Sequence, residues 1–228
     1  MSARRIAIDI GCGSRKMRGA IGLDSAAIAG VDVIGDMSRG LPFRTNSIDT
    51  LFAYHVLEHF DDFLGQMGEI WRVLRPGGRA HIKVPHGAST FTTWKDPTHR
   101  RGLSIATFTY FDDTYFDGNA FSYYSPARFR MERARLNFTT TDREGAPTLG
   151  PASASPSERG VPPPEPHLFT VLRRGLNPMF HAMANKNREW QYACERFWGP
   201  LVGIEEASLI LRAIKDDPQI GTDEGSGE

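Results

Sequence analysis

The residues able to do chemistry fall into two groups. The first is Asp9-x-Gly11-x-Gly13, followed by Asp24 and by Asp36-Met37. A strand ending in this glycine pattern makes a tight turn, and the glycines let backbone amides approach a ligand with no Cβ in the way. A dinucleotide fingerprint needs a third glycine where Lys16 stands, and the segment from Ser14 to Gly19 is too short for a full helix to receive a pyrophosphate. The acids fit a nucleoside carrying an amino acid moiety better. A carboxylate at Asp24 can accept two hydrogen bonds from a vicinal diol. Asp36 is placed for an adenine amino group, with Met37 as a soft wall against the base. Each acid alone reads equally well as a turn residue; in register after successive strands, they point to a ligand.

The second group is His55, Glu58, His59, His86, Asp96 and His99. A histidine base suits neutral pH, its ordinary pKa being ~6.5. His86 directly follows Val84-Pro85 at a strand end and is the leading base candidate. His59 reads either as an acceptor-side residue or as a cap for the helix that follows. Glu58, His59, His86, Asp96 and His99 could together hold a cation, but their spacing matches no standard metal motif, so no metal is expected. Cys12 reads as a small buried residue inside the glycine turn. Arg128, Arg130, Arg133 and Arg135 read as a solvated face, or otherwise as a site for a phosphate- or carboxylate-bearing acceptor.

The elements that must position these groups are short strands. Ile6–Ile10, Ala20–Asp24 and Val31–Asp36 are apolar runs ending at an acid or a glycine, and Ile48–Tyr54 is a fourth strand. Phe60, Phe63, Leu64, Met67, Ile70, Trp71 and Leu74 recur at helical spacing and predict a helix over 61–75. Asp61 and Asp62 begin it and Pro76-Gly77-Gly78 stops it. Arg79–Val84 alternates as a fifth strand. Residues 86–125 are aromatic-rich and predict an insertion packed over the sheet's edge. Arg128–Phe138 is a sixth strand or a helix–strand pair, a helix covers 178–198, and Ser208–Ile214 is the last strand. The composition of 145–166 predicts a flexible loop, and 216–228 a disordered tail. Strands alternating with helices imply an open α/β sheet.

The chain has 228 residues, enough for one elaborated domain, here 1–215. Lys plus Arg equal Asp plus Glu at 27 each, so no global field favours a polyanion. Cys12 and Cys194 form no CxxC pair, which excludes a zinc knuckle and argues against a disulfide framework. The first apolar run is too short for a signal peptide and no segment approaches a membrane span, so a cytoplasmic protein is expected.

The series Asp9-x-Gly11-x-Gly13, Asp24, Gly35-Asp36-Met37, Leu41-Pro42-Phe43, Ser47-Ile48-Asp49, His55-Val56-Leu57-Glu58-His59 and Arg72-Val73-Leu74-Arg75-Pro76-Gly77-Gly78 resembles the Rossmann-like, or class I, S-adenosylmethionine-dependent methyltransferases of small-molecule type. The resemblance covers residues 4–85. It implies one α/β domain with a mostly parallel seven-stranded sheet, the last strand antiparallel, flanked by helices. It implies S-adenosyl-L-methionine as cofactor, with Asp9 and Gly11-Cys12-Gly13 at its methionine part, Asp24 at the ribose, Asp36 at the adenine and His55 near the sulfonium. The chain departs from the family in the short segment after Gly13, where Arg15 or Lys16 would have to meet the methionine carboxylate. Lys95-Asp96-Pro97-Thr98-His99-Arg100-Arg101 resembles a pattern in some bacterial and archaeal members and implies no substrate.

Enzymes that methylate exocyclic base amines carry an acid- or Asn-Pro-Pro-aromatic tetrapeptide after strand four, where this chain has His55 to His59. A small-molecule acceptor is therefore expected, with neither nucleic acid nor membrane as partner; a homodimer is compatible with the sequence. The expected reaction is methyl transfer to an O, N or C nucleophile of a small metabolite, in small-molecule biosynthesis. The rival reading is a non-catalytic, cofactor-binding partner or scaffold subunit.

Overall fold

The computed structural model describes residues 5–115, 120, 122–138, 167–199 and 203–215, with 167–175 as backbone. The expected loop at 145–166, the tail from 216, and Phe116 and Phe121 lie outside the described residues.

Seven strands form one sheet: β1 (Ala7–Ile10), β2 (Ile21–Asp24), β3 (Val33–Ile34), β4 (Ile48–Tyr54), β5 (Leu74–Pro85), β6 (Phe129–Asn137) and β7 (Glu206–Ala213). Their spatial order is β3-β2-β1-β4-β5-β7-β6. The pairs from β3 through β5 are parallel, and β7 runs antiparallel to both β5 and β6. This is the expected mostly parallel sheet with an antiparallel last strand. Parallel strands put all their C-terminal ends on one edge, where open α/β sheets bind ligands.

Alternation decides which face is covered. Leu51 and Ala53 of β4, Ala80, Ile82 and Val84 of β5, and Leu209 and Leu211 of β7 point to one face and are buried. Helix α1 (Phe63–Val73) covers that face with Phe63, Met67, Ile70 and Val73, at three- and four-residue spacing. Each such side chain contributes roughly 1.5–3 kcal/mol on burial. Asp62, rather than the more distant His59, caps α1 by accepting from Gly65 N–H at 2.8 Å. A Cβ on Gly65 would meet the Asp62 carboxylate at 2.1 Å, so a side chain there would make that carboxylate shift.

Helices α2 (Thr90–Trp94) and α3 (Ile105–Thr109) belong to the aromatic segment. Phe108 and Phe111 pack edge-on or tilted against Phe63 of α1, and Phe111 meets Phe129 of β6 at 6.3 Å. The segment thus fills the covered face between α1 and β6 rather than lying over an edge. Phe91, Trp94, Tyr123 and Tyr124 stay exposed.

Further corrections follow from backbone chemistry. The helix over 61–75 ends at Val73, and Leu74 is already extended and registered with Ile48. Pro76-Gly77-Gly78 is therefore a bulge inside β5; Gly77 has φ +73°, and a Cβ on Gly78 would press on two carbonyl oxygens at 3.0 and 3.1 Å. Residues 129–137 form a strand, which the sequence left undecided. The expected helix over 178–198 is three pieces: α4 (His167–Ala184), α5 (Arg188–Ala193) and a wider turn over Cys194–Trp198. Asn185 pairs with the backbone of Leu136 through both side-chain groups (2.8 Å each), and Gln191 donates to Ala134 O at 2.7 Å. These amides occupy the outer edge of β6, which would otherwise expose unpaired backbone.

Candidate functional site

The glycine turn sits at the C-terminal end of β1. Gly11 (φ +61°) and Gly13 (φ +53°) both take the left-handed conformation that disfavours side chains. A Cβ on Gly11 would strike Val56 at 2.6 Å, so the turn lies directly against the loop after β4. No helix separates β1 from β2, and three acids shape the connection instead. Asp9, fully buried, accepts from Met17 N–H at 2.7 Å. Asp24 accepts from Gly13 N–H at 2.8 Å and Ala26 N–H at 3.0 Å. Asp32 accepts from Gly22 N–H at 2.8 Å and pairs with Lys16. Lys16 is thereby committed to Asp32, while Arg15 is exposed. Cys12 is buried as expected, its sulfur so close to Gly22 that a Cβ there would meet it at 2.8 Å.

Asp36 follows β3 and caps the short helical turn at Met37–Arg39. Its Oδ1 accepts from Ser38 N–H at 2.9 Å and from the Ser38 hydroxyl at 2.7 Å, which holds its pKa below the usual value. Met37 is buried in the same core cluster as Leu41. Leu41-Pro42-Phe43 is bound to α1: Glu69 accepts from Leu41 N–H at 2.8 Å, and Arg72 donates to Leu41 O and Phe43 O. A bidentate Glu69–Arg72 pair locks that clasp.

Beyond β4 the chain does something unusual for a bulky residue. His55 takes φ +54°, a conformation costing of order 1–3 kcal/mol that persists where surroundings impose it. Its Nε2 meets Glu206 Oε2 at 3.0 Å, and Glu206 also accepts from Asn137 at 2.8 Å. Burial opposes the charge on His55, but the Glu206 hydrogen bond and the fields of Glu206 and Glu58 outweigh it, so its pKa is raised.

Glu58 lies fully buried in the turn Leu57–His59, with no hydrogen bond to either oxygen. Burial raises its pKa, against the opposing pull of His55, of Glu58's own backbone N–H, and of His59 and His99. His59 and His99 stack edge to face at 4.7 Å, and one ligand atom from each of Glu58, His59 and His99 lies within 4.8 Å of the others.

His86 is elsewhere. It is 2% exposed, and its Nε2 meets Glu195 Oε1 at 2.9 Å while its Nδ1 accepts from Ala88 N–H at 3.1 Å. Glu195 also accepts from Ile105 N–H at 2.6 Å and Ala106 N–H at 3.2 Å, fixing the start of α3. Both nitrogens of His86 are therefore engaged, and neither is open to a substrate proton as placed. The structure brings the turn, Asp24, Asp36 and His55 to one edge, puts His59 with His99, and separates His86 from them.

Sequence reasoning missed Glu195 and Glu206. For Glu206 a signal existed: it opens a strand that, if antiparallel, must start beside the end of β5. Arg130 of the basic piece pairs with Asp112 and Asp113, and Arg133 and Arg135 line a cavity of about 190 Å³ with Tyr54, His81 and Lys83, whose alternation puts them on the face opposite α1.

Residues 33–82, from β3 into β5, match the family model described as a methyltransferase domain. Among solved structures the chain is similar to an S-adenosylmethionine-dependent methyltransferase from Archaeoglobus fulgidus, at 15% identity and TM-score 0.49, covering 92% of this chain and 86% of that one. It is similar to the YcgJ protein of Bacillus subtilis at 15% identity and TM-score 0.49, covering 94% of each chain. A third likeness is to an S-adenosylmethionine-dependent methyltransferase from Mesorhizobium loti, at 13% identity and TM-score 0.44, covering 91% and 90%. No curated protein matches the sequence. The family match is thus to a methyltransferase domain and runs from β3 into β5, and the sheet order and glycine turn around it are those that the resemblance to class I S-adenosylmethionine-dependent methyltransferases implies.

Proposed function

We propose that the protein transfers a methyl group from S-adenosyl-L-methionine to an O, N or C nucleophile of a small metabolite. The observation that carries this reading is the placement of the Gly11–Gly13 turn, Asp24, Asp36 and His55 at the ends of β1, β2, β3 and β4, on one edge of the sheet. Gly13, where a Cβ would meet nothing within 4 Å, leaves open space beside the turn that fits a ligand held by backbone.

In this reading the Gly11–Gly13 backbone and Asp9's loop hold the methionine part, and exposed Arg15 meets its carboxylate, Lys16 being paired. Asp24 keeps lone pairs on both oxygens for the ribose hydroxyls, and Asp36 faces the adenine. When bound, the cofactor supplies a methyl group on a positively charged sulfur, which an in-line nucleophile takes while the charge is discharged. The chain's contribution is alignment and removal of the acceptor's proton. His55, held by Glu206, orients the sulfonium end. The proton goes to the His59 side of the cleft, because His59 Nδ1 is bound to Thr98 and its Nε2 is left for a proton, whereas His86 has both nitrogens occupied.

The balanced charge supports a small acceptor over a nucleic acid, and among the described residues no helix is long and apolar enough to cross a membrane. Incubation with methyl-labelled cofactor and a metabolite library tests the reading. Label in any library member supports it. Tight cofactor binding with no transfer across the library would favour the scaffold reading instead.

A further inference from the structure

We propose that Glu58, His59 and His99 form a binding site for one divalent transition-metal ion of the zinc, cobalt or iron kind. The three ligand atoms already converge within 4.8 Å of one another. Two ligands on one tetrahedral zinc stand about 3.4 Å apart, given metal–ligand distances of about 2.1 Å. Glu58 Oε1 and His99 Nε2 are 3.8 Å apart, too far for a hydrogen bond and within a few tenths of an ångström of that ligand spacing.

Glu58 is the first argument. A fully buried carboxylate with no hydrogen bond to either oxygen is costly unless a cation or a donor answers it. The nearest candidates, His55 Nδ1 at 3.7 Å and His99 Nε2 at 3.8 Å, stand off at ligand distance.

The tautomers are the second. His99 Nδ1 donates to Thr93 O at 2.6 Å, which leaves its Nε2 with the lone pair. Thr98 Oγ1 gives its one proton to Asp96 Oδ1 at 2.6 Å, so toward His59 Nδ1, at 2.9 Å, it can only accept. His59 Nδ1 therefore carries a proton, and its Nε2 has the lone pair. Both imidazoles are held by a partner on Nδ1, which reserves Nε2 of each for a metal, the arrangement that metal-ligating histidines use. Asp96 Oδ2, 3.9 Å from His99 Nε2, adds negative charge at the rim.

The backbone holds the set together. Arg100 N–H donates to Glu58 O at 2.8 Å, which fastens the segment bearing His99 onto the turn bearing Glu58 and His59. His86, which the sequence grouped with these residues, is excluded by its bond to Glu195. Two imidazole nitrogens and one carboxylate favour a borderline transition metal over magnesium or calcium, which prefer all-oxygen ligands. Three protein ligands leave a position for an outside oxygen or nitrogen, whose proton the ion would acidify; His59 then serves as ligand in place of base. Metal binding itself does not depend on the methyl-transfer reading.

The test uses the full, untagged chain after treatment with a chelator. Cobalt(II) is titrated while its visible d–d absorption is followed, and zinc(II) is titrated against a chromophoric chelator. One saturable equivalent of each is expected, with magnesium not competing. Glu58→Gln, His59→Ala and His99→Ala should each weaken zinc binding more than about a hundredfold. Thr98→Val, which keeps all three ligands, should weaken it about 10–100-fold by freeing His59, and His81→Ala, on the other sheet face, should leave it unchanged. Absence of a saturable equivalent overturns the proposal. So does zinc binding that survives His59→Ala and His99→Ala, or that Thr98→Val leaves untouched.

Discussion

Two glutamates sit beyond the C-terminal ends of neighbouring strands and are treated in opposite ways. Glu195 is fully engaged, taking one hydrogen bond from His86 and two from the backbone at the start of α3. Glu58 is more deeply buried and takes none. The difference separates construction from readiness. Where every lone pair near a buried charge has a donor, the cluster is a joint, here between β5, α3 and the turn at 194–198. Where a buried charge is ringed by oriented but unbonded groups, the cluster is waiting for something else. This places His86 with the architecture and His59 with the chemistry, an inversion of their order as base candidates in the sequence.

The largest test of that contrast is Glu195→Ala. It strips the partner from His86 and from two backbone amides, and should cost about 3–5 kcal/mol in urea unfolding, the scale of breaking a buried charged pair. A loss near zero would mean that the joint carries no weight. Next comes Asp24, whose oxygens serve Gly13 and Ala26 yet keep lone pairs for a ligand. Asp24→Ala should weaken binding of S-adenosylhomocysteine by ~1.5–3 kcal/mol in calorimetry. An unchanged dissociation constant would make Asp24 a turn residue and nothing more.

Glu58 should behave opposite in sign to Glu195. Replacing it with methionine, similar in volume and apolar, should leave the metal-free protein equally stable or raise its stability by about 1 kcal/mol, because an unanswered buried carboxylate is removed. A strong loss of stability would show that Glu58 belongs with Glu195 as a joint.

The smallest effect concerns Asp112, another buried carboxylate with its bonds made. Burial works against its charge, but Met131 N–H at 2.7 Å, Thr114 and Arg130 outweigh it and hold its pKa below the ordinary 3.8. A group with a depressed native pKa stabilises above its unfolded pKa, and that stability drains as pH falls through the native value. Unfolding free energy should therefore drop below about pH 4, and Asp112→Asn should remove part of that slope. An identical pH profile for the variant would break the assignment.

The sequence carried the parallel half of the sheet well, because β1, β2 and β4 are short apolar runs closed by residues that must turn. It misplaced the start of β5, since Pro76-Gly77-Gly78 has the chemistry of a helix stop and serves instead as a strand bulge. It left 129–137 undecided because only some of its alternate residues are buried. The glycine turn was readable for a local reason: left-handed backbone at Gly11 and Gly13 demands glycine. The His86–Glu195 and His55–Glu206 pairs span 109 and 151 residues and depend on the sheet order, so no spacing announces them. Likewise, Glu58, His59 and His99 match no metal motif because a backbone bond from Arg100, rather than a helical repeat, brings them together.

The central claim is a cofactor site built on the turn from Asp9 to Gly13 and the acids that follow it. Isothermal calorimetry of the full chain with S-adenosylmethionine and with S-adenosylhomocysteine tests it most directly. One binding site is expected for each, lost or strongly weakened in Gly11→Val, where φ +61° and contact with Val56 leave no room for a side chain. Absence of binding by both ligands to the folded wild-type protein would contradict it.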